Sequence, residues 1–173
     1  MQQVFDRLDM DKNGYLSNED WELWAKNIEK MVKPAPHLMA ALRARIEEYC
    51  AALGIVPGTQ STRDEFVKGI AAMAVIERAK SQRGEETLLH KLNDAFYDIV
   101  DTNHDGSVTL GEWKVILEAC NIESSAANKM FNTLDKNKDG KIGRRVLTDT
   151  EFEFWYALDD PDGKGMFGDV KKK

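Results

Sequence analysis

A chain of 173 residues, 42% hydrophobic and 31% charged, can bury a core as one unit or as two lobes of roughly 80 to 90 residues. Its net charge of −6 argues against a nucleic-acid partner, and no apolar run approaches the roughly 18 residues of a membrane span. The opening MQQVFDRLDMD has neither the basic nor the apolar region of a secretory signal, so a cytoplasmic location is expected.

In chain order, the first recognisable element is DMDKNGYLSNED, residues 9–20. Calcium is a hard cation that takes six to eight oxygens at about 2.3–2.6 Å. A 12-residue loop supplies them from side chains at positions 1, 3, 5 and 12, from the carbonyl of position 7 and through position 9, with glycine at 6 for the sharp turn. Loop one offers Asp9, Asp11, Asn13, the Tyr15 carbonyl, Ser17 and Asp20 around Gly14. Asp in place of Glu at position 12 is one methylene short, which lowers the coordination number and leaves the choice between Ca2+ and Mg2+ open.

A helix is expected from near Ser17 until Pro34 and Pro36 interrupt it, and Leu42, Ile46, Tyr49 and Leu53 mark one face of the next. Loop two, GIVPGTQSTRDE, residues 54–65, has carboxylates only at positions 11 and 12 and cannot cage a cation. Its expected part is to pair with loop one. Thr62 and Glu65 read as a capping box opening a helix to about Lys80. SQRGEE, with Gly84, then reads as the break between an N-terminal pair of units, residues 1–83, and a C-terminal pair, residues 84–173.

Leu88, Leu92, Phe96 and Ile99 mark a helix from about Glu85 to Val100 that feeds loop three, DTNHDGSVTLGE. Here every requirement is met, by Asp101, Asn103, Asp105, Gly106, the Ser107 carbonyl, Thr109 and Glu112. Loop four, DKNKDGKIGRRV, keeps Asp135, Asn137, Asp139 and the Lys141 carbonyl but has Gly143 at position 9 and Val146 at position 12. Its expected affinity falls from a sensor range of about 10⁻⁷–10⁻⁵ M toward about 10⁻⁴ M or weaker. Arg144 and Arg145, beside the gap, are expected to oppose a divalent cation further. Ile142, at position 8, is expected to pair with Val108.

The loops start 45, 47 and 34 residues apart, and each is followed at its thirteenth position by a large apolar residue: Trp21, Phe66, Trp113 and Leu147. The fold class is therefore all-α, four EF-hand helix-loop-helix units in two pairs. Eight carboxylates at ligand positions account for the acidity, since without them 22 acidic residues face 24 basic ones. His37, His90 and His104 have no metal-spaced partners, the closing KKK reads as a solvated tail, and Cys50 and Cys120 read as reduced thiols. No nucleophile with a base and no phosphate-cradling glycine loop is present, so an enzyme is not expected.

Three stretches are more particular than the loops themselves: LGIVPG at residues 53–58 and MFNTLDKNKDG at 130–140, which most resemble a coelenterazine-binding protein, and FWYALDDPDGKGMFGD at 154–169, whose FWYALDDP, with FYDIVDTNHDGSVTLGEWK at 96–114, more resembles a photoprotein. With the four-unit pattern they make nearly the whole chain resemble the four-EF-hand family of sarcoplasmic calcium-binding proteins, coelenterazine-binding (luciferin-binding) proteins and calcium-regulated photoproteins. The resemblance implies one compact globule whose halves close around a hydrophobic cavity, with Trp24, Met73, Phe96, Trp113, Met130, Phe131 and Trp155 as candidate lining. It also implies a His, Trp and Tyr group holding peroxidised coelenterazine in the photoproteins. Glu151, Trp155 and Phe167 fall at those positions here, and Leu92 and Ser81 stand where photoproteins carry Trp and Tyr, so a luminescent oxygenase is not expected. The leading expectation is a monomeric Ca2+ buffer or sensor without nucleic-acid or membrane partners. The alternative is a carrier that releases coelenterazine when Ca2+ binds; a target-binding sensor is disfavoured because its seven methionines are scattered.

Overall fold

The computed structural model describes residues 2–120, 122 and 124–156. Helix α1 (Gln2–Leu8) enters loop one, which ends in strand β1 (Leu16–Ser17) and helix α2 (Asn18–Val32). After α3 (Pro36–Ala52), loop two carries β2 (Gln60–Ser61) into α4 (Arg63–Gln82). The second half repeats the plan with α5 (Leu88–Val100), β3 (Ser107–Thr109), α6 (Leu110–Ala119), α7 (Ser124–Leu134), β4 (Lys141–Gly143) and α8 (Arg144–Tyr156).

Local chemistry sets these boundaries. Helix α2 stops at Lys33, in the left-handed region at φ 53°, just before Pro34, and Pro36 opens α3 where its missing N–H is not needed. The capping box of α4 is present: the Thr62 N–H donates to Glu65 Oε2 at 2.8 Å, and the Thr62 hydroxyl oxygen accepts from the Glu65 N–H at 3.3 Å. The helix runs to Gln82, two residues past the expected end, and Gly84 turns the chain at φ 70°. Helix α5 starts at Leu88 rather than near Glu85 because Thr87 is its N-cap, accepting from the His90 N–H at 3.1 Å.

The loops pair antiparallel, position 8 on position 8: Leu16 opposite Ser61, and Val108 opposite Ile142 as expected. Leu16, Val108 and Ile142 are buried, so each short ribbon hangs its loops from the core.

Packing crosses between the halves. Helix α3 lies on α5, α2 on α6, and α4 on α8, and one contiguous core runs from Phe5 to Tyr156. The Trp24 ring stacks on Phe96 at 5.7 Å, and Trp24 Nε1 donates to Cys120 Sγ at 3.0 Å. The buried Glu77 of α4 accepts from the Leu88 N–H at 2.6 Å, so a carboxylate of the first half caps a helix of the second. It also pairs with Lys80 at 2.9 Å. From the next residue, Arg78 Nε donates to the Tyr156 carbonyl at 2.8 Å. Cys50 and Cys120 are free, with both thiols pushed by burial up to about 12. No helix among the described residues is long and apolar enough to cross a membrane.

Candidate functional site

Loops one, three and four share one backbone. In each, the Asp at position 1 accepts from the N–H groups of positions 5 and 6: Asp9 from Asn13 and Gly14, Asp101 from Asp105 and Gly106, and Asp135 from Asp139 and Gly140, all at 2.9–3.1 Å. The residue at position 5 in turn accepts from the N–H of position 7, at 2.8–2.9 Å. Position 4 is left-handed in all three, at Lys12, His104 and Lys138 with φ between 55° and 60°, and the glycine at position 6 follows at 78° to 88°. Two positive φ values, one residue apart on either side of position 5, curl the chain so that its short oxygen-bearing side chains face one point, and the value at position 6 suits glycine. Loop two lacks this curl, and Gly54, Val56 and Gly58 leave its positions 1, 3 and 5 without a side-chain oxygen.

The carboxylate at position 12 reaches back across its loop. Asp20 Oδ1 accepts from the Met10 N–H at 2.8 Å and Asp20 Oδ2 from the Ser17 N–H at 3.0 Å. Glu112 does the same, with Oε1 on the Thr102 N–H at 3.0 Å and Oε2 on the Thr109 N–H at 2.9 Å. Burial pushes Glu112 up, but these bonds outweigh it and hold its pKa below the ordinary value. Asp105 is likewise lowered, chiefly by the Ser107 hydroxyl and N–H. Oxygens sharing one calcium can stand at most twice the metal–oxygen distance apart, about 4.6–5.2 Å. Oxygens of Asp9, Asp11 and Asp20 already lie within 4.8 Å of one another. Among the described residues, no three carboxylates of loop three lie that close to one another. The donors are carboxylate, amide and carbonyl oxygens throughout, which suits a hard divalent ion.

Loop four departs from expectation in one respect. Arg144 turns from the loop to α5, ion-paired with Asp94 and Asp98 and lying over the Tyr97 ring at 4.4 Å, and Arg145 pairs with Asp149 at 3.3 Å. Neither arginine is ion-paired with Asp135 or Asp139, so the opposition expected of them is corrected: carboxylates on α5 and α8 attract them elsewhere. The cation that does reach a neighbouring loop is Lys141, 4.0 Å from Asp105 of loop three. Val146, at position 12, is 43% exposed and offers no ligand.

Helices α1, α2, α3, α5, α6 and α8 line an apolar cavity of about 120 Å³ that is partly open to the surface among the described residues. Its aromatic wall comes from Trp21 and Trp24, Tyr49, Phe96 and Trp155. Of the expected lining, Trp24, Phe96 and Trp155 are present, whereas Met73, Trp113, Met130 and Phe131 fill the core elsewhere. All seven are apolar residues on inward stripes, and their spacing does not distinguish a cavity wall from the solid core. Leu92 lines the cavity, Ser81 is exposed outside it, and Phe167 lies outside the described residues.

Sequence reasoning missed Trp21 and Asn93 as lining, and it reached Glu151 only through resemblance. A signal exists: Glu151 stands between Leu147 and Trp155 at helical spacing, and Asn93 between Leu89 and Phe96, each a polar residue within an apolar stripe. Glu151 is 7% exposed, has no hydrogen-bond partner among the described residues, and burial pushes its carboxyl up to about 8.

Comparison with known proteins agrees with this anatomy. The EF hand family model matches residues 1–23, 92–117 and 127–145, which cover loops one, three and four and omit loop two. The chain is 30% identical to the luciferin-binding protein of Renilla reniformis over 168 residues, covering 95% of this chain and 89% of that one. It is 29% identical to obelin of Obelia geniculata over the same length, 95% and 86% of the two chains. Among solved structures, the magnesium-loaded apo form of the ctenophore photoprotein berovin superposes with a TM-score of 0.80 at 26% identity, covering 89% of this chain and 85% of that one. The protein belongs to the calcium-binding EF-hand family that includes the luciferin-binding protein and the photoproteins.

Proposed function

We propose that this chain is a calcium-responsive carrier of a coelenterazine-class small molecule. The observation that carries the reading is the cavity, walled by aromatic side chains from both halves and containing unpartnered polar groups. A relative named for luciferin binding, matched over nearly its whole length, supports the same class of guest.

In this reading the ion is held by Asp9, Asp11, Asn13, the Tyr15 carbonyl and Asp20 in loop one, and by Asp101, Asn103, Asp105, the Ser107 carbonyl and Glu112 in loop three. Loop four, with Asp135, Asn137, Asp139 and the Lys141 carbonyl, is a weaker third. Calcium supplies a concentrated positive charge that these oxygens neutralise, and magnesium suits the shorter arm of loop one. The chain's own part is mechanical. Helices α5 and α6 flank loop three and carry Leu89, Leu92, Phe96 and Leu117 of the cavity wall, so any change in the angle between them reshapes the cavity. The halves, residues 1–83 and 84–173, act as the two jaws of a monomer in the cytoplasm. Glu151 at the position where the photoproteins have His favours carriage over light emission, and the protein is not an enzyme.

A second reading, a calcium buffer or sensor without a guest, has one observation in its favour. A cavity of about 120 Å³ is a fraction of the roughly 300–1,000 Å³ of drug-sized sites, so a guest requires the jaws to part. Calorimetric calcium titration with and without coelenterazine separates the two. The carrier gives calcium-sensitive quenching of tryptophan by coelenterazine and reciprocal shifts in calcium affinity. The buffer gives calcium curves that coelenterazine leaves unchanged.

A further inference from the structure

Within the first half, a stripe on α2 faces a stripe on α3. Trp21, Glu22 and Ala25 lie on the first at helical spacing, and Arg43, Ile46 and Glu47 on the second. Ala25 contributes only a methyl group, and between the two stripes a cleft of about 230 Å³ remains, partly open to the surface. Its floor is apolar, since Trp21, Ala25 and Ile46 are all buried. The cleft exceeds the cavity described above in volume, and among the described residues Trp21 is the one side chain that lines both.

Charge on its walls is unbalanced. Arg43 is already engaged, with Nη2 at 3.3 Å from Glu22 and 3.1 Å from Glu29, and Lys26 lies 3.9 Å from Glu22. Two cations thus stand among three carboxylates, and the one left over is Glu47. It is exposed, one turn along α3 from Arg43, and has no hydrogen bond or ion pair among the described residues. The floor has an unmet demand of its own. Trp21 is only 7% exposed, and its Nε1 is a buried donor without an acceptor, whereas nearly all such donors in native proteins have one.

We propose that this cleft binds a small organic cation, an amine carried on about one aromatic ring, whose ammonium pairs with Glu47 while its apolar body covers Trp21, Ala25 and Ile46. A space of about 150 Å³ holds one benzene ring, so about 230 Å³ leaves room for a ring and a short arm. An anion would meet the surplus carboxylate, and a neutral molecule of the same shape forgoes the ion pair. The site does not rest on the carrier reading, because it lies between α2 and α3 and is separated from the cavity by Trp21.

The test is a titration of the calcium-loaded full chain with phenethylamine, followed by the indole N–H signals in proton–nitrogen NMR, with that of Trp21 assigned from Trp21→Phe. Phenethyl alcohol, the same ring and arm without the charge, is titrated in parallel. The amine is expected to shift the Trp21 signal with a Kd of about 1 mM, in the range of a fragment of this size. The alcohol is expected to bind about three- to fivefold more weakly. Glu47→Gln, at an exposed position, is expected to bring the amine down to the level of the alcohol and to leave the alcohol unchanged. Ala25→Leu fills the cleft without touching the cavity lining and is expected to abolish the Trp21 response to both; should it melt as a misfolded protein, Glu47→Gln decides alone. Equal binding of amine and alcohol to wild type, or an amine affinity that Glu47→Gln does not lower, overturns the cation site. So does a Trp21 signal that never moves. A response that survives in folded Ala25→Leu, or that moves Trp24 and Trp155 as well, places the probe in the cavity and overturns it too.

Discussion

The Tyr97 hydroxyl, buried on α5, has one proton to share between two carbonyls, donating to that of Gly106 in loop three at 2.9 Å and reaching that of Ile142 in loop four at 3.2 Å. One phenol thus ties the turn of a complete loop to the pairing strand of an incomplete one, from the helix that enters the first. Tyr97→Phe keeps the ring packed under Arg144 and removes only this tie. The expected loss is about 1 kcal/mol in urea denaturation, with a few-fold weaker calcium affinity at loop three by calorimetry. An unchanged calcium affinity would show that loop four does not support loop three through this contact.

What loop four lacks beside loop three is a carboxylate at position 12, not the shape of the turn. Its Asp135, Asn137 and Asp139 repeat the turn bonds of loop three, and its arginines are occupied on α5 and α8. Val146→Glu places a carboxylate at an exposed position 12, where little packing is lost. Tight calcium sites are expected to rise from two to three in calorimetric stoichiometry. A mutant that titrates like its parent would locate the defect elsewhere, at Gly143 first.

Lys141 lies 4.0 Å from Asp105 across the paired loops, a cation set against a candidate ligand of the neighbouring loop. Both side chains are half-exposed or more, so the interaction is weak and screened by salt. Lys141→Met is expected to tighten loop three about two- to fourfold at low ionic strength, an effect that shrinks as salt is added. Tightening that persists undiminished in high salt would point to a cause other than charge.

The buried Glu77 joins the halves through the free N–H groups that begin α5. Glu77→Gln keeps its size but loses the charge that complements the helix end and pairs with Lys80. A loss of about 1–3 kcal/mol is expected in urea denaturation, with the slope of the transition unchanged. Two separated transitions would instead show that this contact is what makes the halves unfold together.

How much of this was legible in the sequence follows from what each feature depends on. The curl of loops one, three and four is local, set by Asp, Asn and Gly at fixed spacing, and so is the Thr62 cap, while the pairing of Ile142 with Val108 is long-range but follows from the repeat of the loop pattern. The cavity is not local. Met73, Met130, Phe131 and Trp113 sit on inward stripes just as Trp24 and Phe96 do, and only the way α3 lies on α5 and α2 on α6 decides which of them meet empty space. Arg144 carries the same lesson, because it answers to Asp94 and Asp98, some fifty residues away in the chain, rather than to the loop it borders.

Glu151 makes a further prediction that needs no guest. Its carboxyl titrates near 4.5 in the unfolded chain and is pushed by burial to about 8 in the folded one. Between those values the folded state holds a proton that the unfolded state has released, so the stability it confers is complete below pH 4.5 and is lost as pH rises through about 8. Across that window wild type is expected to lose about 1.4 kcal/mol per pH unit relative to Glu151→Gln, which has nothing to titrate there. Urea denaturation of the two proteins side by side between pH 5 and 8 measures the difference, and the other carboxylates cancel because both chains share them. Parallel curves would mean that Glu151 is hydrated in the folded protein, and the cavity would then be wet rather than apolar at that wall.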